Sequence, residues 1–129
     1  MPSTPKSALI VDDDPIAREL VAACFNAHAA LAILPAGTAE EAVAIVEAQR
    51  VDLIIADLNM PDTDGVELLA ALAQHAVHAP IVIVSGAAGP VIKAAAALAK
   101  ARGLNILGAL PKPVSRGELW PLVADAMAA

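Results

Sequence analysis

Five short, almost unbroken apolar runs recur along this chain and restrict its fold more than any other feature. They are residues 7–12 (SALIVD), 31–36 (LAILPA), 51–57 (VDLIIAD), 80–86 (PIVIVSG) and 105–111 (NILGALP). A strand that is wet on one side alternates apolar with polar residues. These runs do not, so they are expected to be strands buried on both faces. Between them lie stretches with helical spacing and good helix formers, residues 15–29, 39–49, 65–76 and 90–103, with residues 115–129 closing the chain. Strands alternating with helices in this way predict an α/β fold, a parallel sheet with right-handed crossovers and helices on both faces.

Local signals agree with these boundaries. Asp14 followed by Pro15 is an N-cap with a first-turn proline, and Thr38 with Glu41, Ser115 with Glu118 and Asp64 with Glu67 have capping-box spacing. Gly103 stands where a left-handed cap would end the fourth helix. Pro121 is expected to kink the last helix or delay its start.

The chain has 129 residues, enough for one domain spanning 1–129 that buries about two-thirds of its unfolded surface. Its single cysteine, Cys24, cannot form an internal disulfide, fits a reducing compartment and sits in an apolar run that reads as core. No secretory leader pattern and no uninterrupted apolar run of spanning length is present, so a cytoplasmic protein away from the membrane is expected. A net charge of -6 with scattered Lys and Arg argues against direct nucleic-acid binding by this chain.

The unusual polar residues all fall at the carboxyl ends of the expected strands, where open parallel sheets bind ligands. Asp12 and Asp13 close the first, Asp57 the third and Ser85 the fourth, while Lys112 follows the fifth. Two carboxylates about 4 Å apart repel by roughly 4 kcal/mol at an effective dielectric of about 20. Three together need a cation or a raised pKa. Lys112 alone cannot neutralise them, whereas a hard divalent ion such as Mg²⁺ could. An Asp carboxylate is also a competent nucleophile toward phosphorus, so the cluster reads as a phosphoryl-transfer site. Each residue also has an ordinary structural reading. Asp12 to Asp14 could be a capping cluster, Asp57 a turn former, Ser85 a helix cap and Lys112 a solvated charge. Their joint placement favours the site. Asp62 and Asp64 are assigned to the turn and the next cap, His75 and His78 to surface or helix-end positions rather than a metal site, and Trp120 to a core or interface anchor.

Four stretches, LIVDDDP, DLIIADLNMPDTDG, IVIVSG and LPKP, occur in an order and spacing that resemble the receiver domains of bacterial two-component response regulators, over nearly the whole chain. The resemblance implies a flavodoxin-like, doubly wound, five-stranded parallel sheet of order 2-1-3-4-5 with five helices. It also implies a switch rather than an enzyme. By that resemblance Asp57 is the phosphoacceptor, and Asp13, Asp57 and the backbone carbonyl of Asn59 are the Mg²⁺ ligands, with Asp12 assisting through water. Ser85 is the hydroxyl that bonds the phosphoryl group, Lys112 is the lysine that pairs with it, and Lys112–Pro113 is a candidate cis peptide.

The implied partners are a sensor histidine kinase or phosphotransfer protein as donor, a downstream protein or output domain as reader, and a second copy of the chain. One departure concerns Ala109, which stands where the family often places a Tyr or Phe, so switching is expected to use the loop after Ser85, the fourth helix or a dimer contact. The stretch ARGLNILGALPKPVS resembles receivers attached to EAL domains, which hydrolyse cyclic di-GMP, and makes an EAL-type effector a further expected partner. Two alternatives stay open. A pseudo-receiver that only binds proteins is one, although all the family positions are filled. A phosphatase of the haloacid dehalogenase type is the other, although its nucleophile belongs on the first strand.

Overall fold

A computed structural model of the protein describes residues 6–25, 31–60, 63–75, 78–86 and 89–127. The apolar runs become β1 (Ser7–Val11), β2 (Ala32–Ala36), β3 (Leu53–Asp57), β6 (Ile81–Ser85) and β7 (Ile106–Pro111). They form one parallel sheet of order β2-β1-β3-β6-β7, which is 2-1-3-4-5 when only its own strands are counted. Two further strands, β4 (Asn59–Met60) and β5 (Thr63–Asp64), make a small antiparallel ribbon where the sequence suggested only a turn.

The helices are α1 (Pro15–Ala23), α2 (Ala39–Ala48), α3 (Gly65–Gln74), α4 (Gly89–Ala101) and α5 (Arg116–Met127). Asp14 caps α1 by accepting a bond from the Ile16 amide at 2.9 Å, with Pro15 at the first turn. Thr38 caps α2 through the Glu41 amide at 3.1 Å, while the Glu41 carboxylate takes the Gly37 amide at 3.2 Å, one residue earlier than a regular capping box would. Ser115 and Glu118 exchange bonds as the spacing predicts. The side chain of Asp64 and all of Asp62 lie outside the described residues. Gly103 has φ +90, the left-handed geometry that lets the chain turn back after α4. Pro121 does not delay α5, which begins five residues earlier at Arg116 and runs through it on the exposed side.

Alternation along the strands sends side chains to two cores. Leu9, Val11, Ile54, Ala56, Ile81 and Ile83 meet α2, α3 and α4, whereas Ala8, Ile10, Leu53, Ile55, Val82 and Val84 meet α1 and α5. Cys24 and Phe25 are buried in the second core, and half-buried Trp120 packs against it. Only β1, β3 and β6 are buried throughout. The expectation of five equally buried strands is corrected at the edges, where β2 and β7 are half-exposed because each has a neighbour on one side only.

The register then levels the carboxyl ends of the strands. Val11 pairs with Ala56, Asp57 with Val84 and Ser85 with Pro111, so Asp12, Asp57, Ser85 and Lys112 emerge along one rim.

Candidate functional site

The strand-end residues meet at that rim, and the central strands bury most of them. Asp12 is 3% exposed, Asp57 2% and Ser85 0%, whereas Asp13 faces solvent. Ligand oxygens of Asp12, Asp13 and Asp57 all lie within 4.8 Å of one another. Asp12 and Asp57 continue the alternation that faces α1 and α5, so their carboxylates approach on the same side of the sheet.

Lys112 spans the pair. Its Nζ donates to Asp12 Oδ2 at 2.7 Å and lies 3.1 Å from Asp57 Oδ2. The second contact is an ion pair poorly aligned for a hydrogen bond, which leaves Asp57 Oδ2 buried without a hydrogen-bond partner. The other oxygen of Asp57 accepts the Asn59 amide at 2.9 Å, the first bond of the turn after β3. Burial raises the pKa of Asp57 above its ordinary value and the charge of Asp12 adds to the rise, while the Asn59 amide and the Lys112 ammonium pull it down without cancelling it. Burial alone would lower the pKa of Lys112, but its bond to Asp12 and the negative charge of Asp57 outweigh that and raise it.

The Lys112–Pro113 peptide is cis, as expected, and the Lys112 amide donates to the Ser85 carbonyl at 2.9 Å. This ties the loop after β7 to the end of β6. The loop after β3 also adjoins the loop after β6, since a Cβ at Gly86 would stand 3.5 Å from Asn59 Nδ2.

The donor set suits a hard divalent cation. Three carboxylates lie close together, the one lysine beside them pairs with only two, and one buried oxygen lacks a hydrogen-bond partner, so a dication with oxygen preference would satisfy both the charge and the lone pair. Among the described residues this is the one group of three or more His, Cys, Asp or Glu side chains close enough to hold a metal. His75 and His78 do not join it. His75 contacts Glu47 at 3.2 Å beside α2, and His78 lines a separate hollow with Arg50 and Asp52.

One contact has no counterpart in the sequence reading. Arg18 on α1 donates from Nη1 to the backbone carbonyl of Asp12 at 2.6 Å. Its position in LIVDDDPIAREL offers no clue beyond an arginine one turn into the helix. Ala109 packs against the core beneath α4, while residues 87–88 of the loop after Ser85 lie outside the described residues.

Known proteins agree with this geometry. Residues 8–124 match the response regulator receiver domain. The chain is 35% identical over 120 residues to the cyclic di-GMP phosphodiesterase RocR of Pseudomonas aeruginosa, covering 91% of this chain and 30% of that protein. It is 28% identical over 127 residues to the transcriptional regulatory protein GlrR of Escherichia coli, covering 98% of this chain and 27% of that protein. It thus spans less than a third of either relative. A response regulator from Colwellia psychrerythraea superimposes with a TM-score of 0.78 at 27% identity, covering 95% of this chain and 97% of that one. Among the described residues no helix is long and apolar enough to cross a membrane. With the sheet order, the acid cluster, the lysine across it and the match over most of its length in hand, the chain belongs to the response regulator receiver domain family, the aspartate-phosphorylated modules of two-component signalling.

Proposed function

We propose that Asp57 accepts a phosphoryl group from a histidine kinase or phosphotransfer protein, and that a partner or output domain reads the change. The observation that carries this reading is Asp57 Oδ2, a buried carboxylate oxygen with no hydrogen-bond partner, 3.1 Å from the Lys112 ammonium and grouped with two further acids. An oxygen held in this way is desolvated and not consumed by the fold. It is available to phosphorus.

Asp12, Asp13 and Asp57, with the Asn59 backbone carbonyl, would hold Mg²⁺, which when bound offsets the carboxylate repulsion and draws charge from the phosphoryl oxygens. In the transfer, a carboxylate oxygen of Asp57 forms a bond to phosphorus as the bond from phosphorus to the donor histidine nitrogen breaks, with the electron pair staying on nitrogen. Lys112, 3.1 Å from Asp57, would pair with the new phosphoryl oxygens, and the Ser85 hydroxyl, one residue beyond the strand partner of Asp57, would bond another. The chain supplies an acceptor and a switch, not turnover.

Ile16 and Leu20 on α1 are 68% and 57% exposed, beside an apolar cavity of about 310 Å³ lined by Leu20, Val84, Lys112 and Pro113. A donor protein approaching Asp57 would bury this face. Val91 and Leu98 are exposed on α4, which packs on β7, and suit the reader's side. The kinship with a cyclic di-GMP phosphodiesterase supports an EAL-type effector among the readers. Residues 1–129 are taken as one receiver unit working in the cytoplasm, where buried Cys24 would stay reduced.

Incubation with acetyl phosphate and Mg²⁺, followed by intact-protein mass, tests the reading. One phosphoryl adduct is expected, and it should disappear in Asp57→Asn or when Mg²⁺ is chelated. An adduct that persists in Asp57→Asn rejects the assignment.

A further inference from the structure

We propose that Arg18 is a positioning residue that orients the acid cluster toward its metal, an inference that rests on reading the cluster as the phosphoryl-transfer site. Asp12 is held from four directions. Its amide donates to the Ala36 carbonyl at the end of β2 at 3.0 Å, and its Oδ1 accepts the Asp14 amide at 2.9 Å. Its Oδ2 accepts Lys112 Nζ at 2.7 Å, and its carbonyl accepts Arg18 Nη1 at 2.6 Å.

The last of these bonds reaches beyond Asp12. The Asp12 carbonyl and the Asp13 amide share one rigid peptide plane, so a guanidinium that grips this oxygen fixes the direction from which the Asp13 side chain starts. The Asp14 amide bonded to Asp12 Oδ1 closes a turn around Asp13, so its aim is set through the main chain alone. Its carboxylate is exposed and, among the described residues, makes no hydrogen bond or ion pair. A charge-assisted bond of this length is among the stronger ones available to a backbone carbonyl.

A second element leaves room for the clamp. Arg18 passes over Gly37, where an ideal Cβ would stand 3.3 Å from Nη1, a contact to which the guanidinium must yield by a few tenths of an ångström. Gly37 is itself fixed, because its amide is bonded by Glu41 of α2 at 3.2 Å. Helix α1 provides the arginine, and the loop after β2 provides the gap it crosses.

The sign of the effect separates this role from simple electrostatics. Arg18 is a cation near a cation site, so removing its charge alone would tighten Mg²⁺ binding. Loss of positioning weakens it. Groups that hold metal ligands in place are typically worth about tenfold or more in affinity.

The test is Mg²⁺ affinity by calorimetry on the wild type, Arg18→Ala, Arg18→Lys and Gly37→Ala, with the Asp13 amide resonance and the melting transition followed in each. Arg18→Ala should weaken Mg²⁺ about tenfold and move the Asp13 resonance while still melting cooperatively. Arg18→Lys, which keeps the charge without the planar fork, should recover part of the loss. Gly37→Ala, which keeps the arginine, should fall between wild type and Arg18→Ala. If Arg18→Ala no longer melts cooperatively, the other two variants decide. Mg²⁺ binding as tight as wild type, or tighter, in a folded Arg18→Ala overturns the clamp and leaves the site standing. A wild type that binds no Mg²⁺ and takes no phosphoryl group overturns the site assignment and the clamp with it.

Discussion

Asp57 is an acid that the fold keeps at a loss. Its carboxylate is removed from water at the end of β3, and neither the Asn59 amide nor Lys112 fully compensates, so its pKa stays raised. A raised carboxyl binds its proton more tightly folded than unfolded, so the charged form destabilises the fold at neutral pH. That penalty shrinks as pH falls through the raised value and vanishes below the ordinary aspartate value. With divalent ions chelated, Asp57→Asn should therefore melt above wild type at pH 7, by a margin that narrows on acidification. Melting curves across that pH range check it, and a variant less stable than wild type at pH 7 would contradict the electrostatic account. At this scale the rim shared by Asp12, Asp57, Ser85 and Lys112 was legible, because polar residues at the ends of parallel strands emerge together once the register is set. Arg18 was not legible. Its acceptor is a main-chain oxygen, which leaves no mark in side-chain patterns, and the gap at Gly37 comes from a different crossover.

Among elements, the three central strands followed directly from their unbroken apolar runs. The edges misled, since β2 and β7 carry similar composition but gain only one neighbouring strand. The β4–β5 ribbon escaped because its strands are two residues each, too short for any period to show. Caps were readable to within a residue, with Glu41 reaching Gly37 instead of Thr38. The α4 terminus offers a clean test of backbone strain, because Gly103 has φ +90 and a Cβ there would meet nothing within 4 Å. Gly103→Ala should lose about 1–2 kcal/mol from conformation alone, measurable by urea unfolding. No loss would mean that the turn after α4 relaxes at no cost.

For the whole molecule, the question is how a change at Asp57 reaches a surface. Ala109 offers no ring to turn, and it lies in the core shared with α4, which contributes Ile92 and Ala99. The account places the response in α4 and the loop leading into it. Amide shifts on adding acetyl phosphate and Mg²⁺ should therefore be larger along α4 than along α2, which sits against the opposite edge of the sheet. Equal shifts in both helices would argue for a general settling of the fold and not a directed switch. The fold class was open to reading from the alternating elements, and the strand order came with the family resemblance that the four motifs carry. The output was not, because it depends on the partner that reads the altered surface, which no motif in these residues names.

The central claim concerns one carboxylate, and borohydride can report on it directly. An acyl phosphate is reduced to homoserine at the residue that carried it, so peptide mass mapping after acetyl phosphate, Mg²⁺ and borohydride identifies the acceptor. The account predicts homoserine at position 57 alone, and none when Mg²⁺ is withheld. Homoserine at position 12 or 13 with Asp57 intact would contradict it.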